Sequence, residues 1–146
     1  MPLDDKDQTG RSMYELVEDC HADLGEYRKW PFEAFFDHVR KIPYLSDDKR
    51  YVGRIIEELS RPRYILAGVL GPIDCKKKTI LVGAWARANG YPFRFLAISE
   101  RGDKKIHHVA PQIDFGNGWV NVDATLSDYS IGMPWSKATY VEELSR

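Results

Sequence analysis

Cys75 follows a break in the chain, Gly71-Pro72-Ile73-Asp74, and opens a stretch of helical periodicity, a placement in which a thiol can serve as a nucleophile. Asp74 suits the N-cap, because its carboxylate can accept hydrogen bonds from the exposed amides of the next turn. A sulfur anion at position 75 then faces unpaired backbone N–H groups and the positive end of the helix dipole, and Lys76, Lys77 and Lys78 add positive charge nearby. Acyl transfer by a thiol also needs a base, and the base needs a group that orients it. The histidines are at positions 21, 38, 107 and 108.

Strand geometry separates the two adjacent histidines. Consecutive strand residues face opposite sides, so only one of His107 and His108 can share a face with Asp123. Asn117-Gly118 has the composition of a two-residue turn. That register puts Asp123 opposite Gln112, on the order of 13 Å along the strand from His108. A four-residue loop over Phe115 to Gly118 instead sets Asp123 opposite Ala110 and diagonal to His108, about 7 Å away at the backbone and within reach of an imidazole–carboxylate hydrogen bond. The same parity gathers Val109, Ile113, Val120 and Val122 on one apolar face. His108 is therefore the expected base, with His107 flanking the site or packing beside it.

The elements that must position these residues follow from periodicity and punctuation. Residues 1–11 carry no pattern and read as a flexible tail, with a single domain over 12–146. Ser12 and Glu15 have the spacing of a capping box, and Met13, Leu16, Val17, Cys20, Leu24 and Tyr27 recur at helical intervals behind them. Pro31 suits the start of a second helix, with Phe32, Phe35, Phe36 and Val39 on one face. Pro43 to Lys49 reads as a loop, and Tyr51, Val52, Ile55, Ile56 and Leu59 mark a third helix that Pro62 stops. The cysteine helix runs through Ile80, Leu81, Ala84, Trp85 and Ala88 to a left-handed stop at Asn89-Gly90. A strand around Phe93 to Ile98, a turn at Gly102-Asp103, and strands over Ile106 to Asp114 and Trp119 to Asp123 follow. Thr139 and Glu142 suggest a short capped helix near the C-terminus.

Composition narrows the function classes. With 146 residues, 43% of them apolar, the chain can bury one core, and a net charge of −1 predicts no general attraction to nucleic acid or anionic lipid. No stretch approaches the roughly 20 apolar residues of a membrane span. The polar start MPLDDKDQTG is unlike a secretory signal, so the expected location is cytoplasmic, with reduced thiols. Cys20-His21 with His38 lacks the compact ligand-pair spacing of a zinc site, and no phosphate-binding glycine loop occurs, so no cofactor is expected. The lysine run reads as a solvated helix face, and Trp119 and Trp135 read as core aromatics with a possible place beside a substrate cleft.

Asp74-Cys75, then Arg87-Ala88-Asn89-Gly90-Tyr91-Pro92-Phe93-Arg94, His108-Val109, and Gly118-Trp119-Val120-Asn121-Val122-Asp123-Ala124-Thr125 resemble the transglutaminase-like superfamily of cysteine enzymes, over residues 62–125. Pro43-Tyr44 and Arg61-Pro62-Arg63 are similar to small members encoded by phages and prophages. The resemblance implies an α+β, papain-like core in which a cysteine helix packs on an antiparallel sheet. It makes Cys75 the nucleophile, His108 the base and then the acid, and Asp123 the orienting carboxylate. Asp74, His107 and Trp119 are expected to flank the site on the reading of the residues themselves. Many relatives have acidic residues after the cysteine and often an aromatic after His-Val. Here Lys76-Lys77-Lys78 and Ala110-Pro111 stand in those places, departures that bear on the substrate. The function expected is peptidase or amidase chemistry on a protein or peptide substrate. The alternative is a non-catalytic assembly protein, virion-associated, with phage structural proteins as partners.

Overall fold

The computed structural model describes residues 6–42, 75–99, 108–135, 137–144 and 146, which form an α+β fold. Helix α1 (Lys6–Cys20) leads into a 3-10 segment (His21–Lys29), α2 (Phe32–Arg40) and α3 (Cys75–Ala88). Strands β1 (Phe93–Ser99), β2 (His108–Asp114), β3 (Trp119–Asn121) and β4 (Tyr140–Glu143) make an antiparallel sheet in the order β3-β2-β1-β4. The expected loop at 43–49, the helix through 51–59, the cap at Asp74 and the turn at 102–103 lie outside the described residues.

Helix α3 is the centre of the molecule. Every residue from Lys77 to Ala86 is buried, because α1, the 3-10 segment, α2 and the sheet all pack on it. Its end is a Schellman stop: the Tyr91 N–H donates to Ala86 O at 2.9 Å, that of Gly90 donates to Arg87 O at 3.3 Å, and Gly90 has φ +78°. Tyr91 then stacks on Trp85, with ring centroids 5.6 Å apart. In α2, Phe32, Phe35, Phe36 and Val39 are buried as the spacing predicts.

A close approach on α3 yields a test of the packing. A Cβ built on Gly83 would lie 2.7 Å from Phe95 Cζ, and that ring is fully buried and stacked on Tyr14 at 4.6 Å. The ring has nowhere to swing. Gly83→Ala is expected to destabilise the fold by about 1–3 kcal/mol despite its better helix propensity, measurable as a lower denaturant midpoint.

Three expectations change in the fold. Helix α1 begins at Lys6, so Ser12 lies within it rather than capping it, and residues 6–11 belong to the helix instead of a tail. The continuation predicted through Tyr27 breaks into the 3-10 segment, where Gly25 has φ +57°. The segment from Tyr140 is a strand, not a helix. Four residues are too few to hold a helix, whereas the open edge of β1 offers a ladder, and Leu144, whose N–H donates to Phe95 O at 2.9 Å, reaches the core.

The β2–β3 hairpin takes the four-residue loop. Asp114 pairs with Trp119, Ile113 with Val120 and Gln112 with Asn121. Asp114 Oδ1 closes the loop by accepting from the N–H groups of Gly116 and Gly118, which have φ +118° and +104°. Val109, Ile113 and Val122 enter the helical core, with Val120 packed against it. A smaller cluster of Leu96, Ile98 and Ala110 lies on a separate patch of the sheet, with Trp135 and Ala138 packed against it.

Candidate active site

The reactive groups meet where the first turn of α3 crosses the start of β2. Cys75 is the first residue of α3 and a free, half-buried thiol. One turn on, the buried Thr79 hydroxyl donates to Val109 O at 3.2 Å, which pins the helix start beside the residue that follows His108. The Val122 N–H donates to Pro111 O at 3.1 Å, so the hairpin register runs on past β3 and brings Asp123 level with Ala110, diagonal to His108.

The imidazole and carboxylate are in contact. His108 Nε2 lies 2.6 Å from Asp123 Oδ2, and the two side chains are 15% and 5% exposed. The Cys75 side chain also acts on the ring and, like Asp123, favours its charged form. With Nε2 engaged by the carboxylate, Nδ1 is the nitrogen left for the sulfur. Burial pushes the imidazole down, but the hydrogen bonds and charges of Asp123 and Cys75 outweigh it and raise His108 to about 10. His108 therefore carries its second proton at neutral pH.

Asp123 is held on every side. Its Oδ1 accepts from the Thr125 N–H at 3.0 Å and from the Thr125 hydroxyl at 2.5 Å, and its Oδ2 accepts from Trp135 Nε1–H at 3.3 Å as well as from His108. Burial pushes the carboxyl up, yet the His108 hydrogen bond and charge, together with the Thr125 bonds, keep it below the usual carboxylate range.

Some expected neighbours are elsewhere. Asp74 and His107 lie outside the described residues. Trp119 does not flank the site: it pairs with Asp114, six positions along β2 from His108 and on the order of 20 Å away, where Arg94 stacks on its ring at 4.4 Å. Trp135 takes the place beside the carboxylate. The lysine run is not a solvated face either, since Lys77 and Lys78 are buried at 6% and 1% exposure. Thr125, which grips the carboxylate, could have been found from the Asp-x-Thr spacing, since an Asp side chain often accepts from the N–H two residues on.

Beside Asp123 opens a pocket of about 450 Å³, walled by Leu126, Tyr129, Met133, Pro134 and Trp135. Among the described residues no group of His, Cys, Asp and Glu is placed to hold a metal ion, and no helix is long and apolar enough to cross a membrane. No family model matches the chain, and neither a curated protein nor a solved structure matches it.

Proposed function

We propose that the protein is a cysteine hydrolase with a transglutaminase-like, papain-like core, cleaving an amide bond of a protein or peptide through a thioester. The single observation that carries this reading is the imidazole of His108 held on the Asp123 carboxylate, with Cys75 opening the helix pinned beside it and acting on the same ring. With His108 already holding its second proton on Nδ1, the Cys75 sulfur attacks the carbonyl carbon as the thiolate of an ion pair. Backbone N–H groups at the start of α3 face the developing oxyanion. The tetrahedral species collapses as His108 gives its proton to the departing amine, which leaves a thioester on Cys75. Water, losing a proton to His108, then releases the acid and restores the thiol. The pocket beside Asp123, whose lining mixes Leu126, Met133 and Trp135 with Asp128 and Lys137, offers a wall for a substrate side chain.

The test is site-resolved alkylation together with turnover of a peptide-amide library. A haloacetamide should modify Cys75 at least tenfold faster than Cys20, and His108→Ala should lower that rate and any hydrolysis by roughly 100- to 10,000-fold. Equal labelling of both thiols with no hydrolysis would overturn the enzyme reading and leave the assembly role.

A further inference from the structure

We infer that Lys78 is a positioning residue of this site: its buried ammonium ties the first turn of α3 to the segment after β3 and so holds Asp123 against His108. The inference rests on the hydrolase reading for its purpose, though its geometry stands separately. Lys78 Nζ donates to Thr125 O at 2.8 Å and to Arg40 O at 3.2 Å. The same Thr125 grips Asp123 Oδ1 through its N–H and hydroxyl, so lysine, threonine, aspartate and histidine form one continuous chain of hydrogen bonds. The second anchor is a carbonyl in the last turn of α2, where helical carbonyls lack partners along their own helix. Lys78 is three residues beyond Cys75 and so lies on the same side of α3.

Together Thr79 and Lys78 fasten the turn after the nucleophile to both partner segments, Thr79 to the strand of His108 and Lys78 to the turn of Asp123. A cation sealed at 1% exposure is costly to keep, and burial lowers Lys78 to about 8, with the Asp123 charge opposing that fall. A methionine of similar length would fill the space without that cost but could not hold a carbonyl. The Arg40 guanidinium is turned away, onto Asp37 and Tyr129 O, and does not replace the ammonium.

The experiment follows the His108 ring by NMR titration in the wild type, Lys78→Met, Lys78→Gln and Lys78→Arg, with thermal unfolding and peptide-amide turnover alongside. The wild-type midpoint is expected at about 10. Lys78→Met should lower it by more than about one pH unit, because a loosened Asp123 no longer holds the imidazolium. Turnover number should fall on the order of 100-fold with KM little changed. Lys78→Arg, which keeps the donors, should recover most of both. If Lys78→Met does not fold, Lys78→Gln carries the comparison, its shorter amide being unable to span both carbonyls. A His108 midpoint that stays put in a folded variant, with only the unfolding temperature lowered, would overturn the inference. A shifted midpoint in a protein whose wild type hydrolyses nothing would instead overturn the hydrolase reading and leave Lys78 in its place.

Discussion

Asp123→Asn is expected to lower turnover by roughly four orders of magnitude while the protein stays folded. The reason is the hydrogen-bond polarity around the carboxylate. The Thr125 N–H and hydroxyl both donate to Oδ1, so the amide oxygen of Asn must take that position. The NH2 group then points at His108 Nε2, which has to accept, and the neutral ring is left with its proton on Nδ1, the nitrogen facing the sulfur. A ring in that tautomer cannot take the thiol proton. Trp135 Nε1–H loses its acceptor as well, a smaller effect. Steady-state kinetics measures the loss, and a His108 titration checks the cause: the midpoint should drop from about 10 to near or below the ordinary value of about 6.5. A variant retaining full turnover would show that the carboxylate does not set the tautomer.

Stability should depend on pH through the His108–Asp123 pair. Folding raises the imidazole, so the native state binds a proton that the unfolded chain releases above about 6.5. The stabilisation is fully present below that value and is lost as pH rises towards about 10. Asp123 has the opposite sense: its folded value is depressed, so its contribution is present above the unfolded value of about 3.9 and disappears as pH falls below it. Lys78, lowered to about 8, releases its proton on folding and adds stability as pH rises further, which opposes the His108 loss above that point. The clearest decline therefore falls between about pH 6.5 and 8, amounting to a few kcal/mol at most. Urea unfolding across this range should show a falling midpoint in the wild type and a flat one in His108→Gln. A wild-type midpoint that rises over this interval would contradict the charged pair.

Much of the site was legible because it is local. The hairpin carries its own register: alternation along β2 and a loop of four residues decide which histidine can meet Asp123, and no distant contact is needed for that. The stop of α3 is likewise written in short-range chemistry, with Asn89-Gly90 ending it as a left-handed cap. The failures were of another kind. Position 140 onward has helix-compatible residues, and the open β1 edge overrode them. Three adjacent lysines read as solvent-facing by composition, yet α3 runs through the middle of the fold and has no solvated face over that stretch.

The sequence by itself determined the pairing of His108 with Asp123 and the placing of a cysteine at a helix start, because backbone alternation and helix termination act over a few residues. Only the tertiary structure decided that the first turn of α3 seats beside that pair, that Trp135 rather than Trp119 covers the carboxylate, and that Lys78 is sealed inside. Those outcomes depend on how α3 seats on the sheet and how the segment after β3 folds back. Such contacts join residues far apart in the chain, so no local period records them.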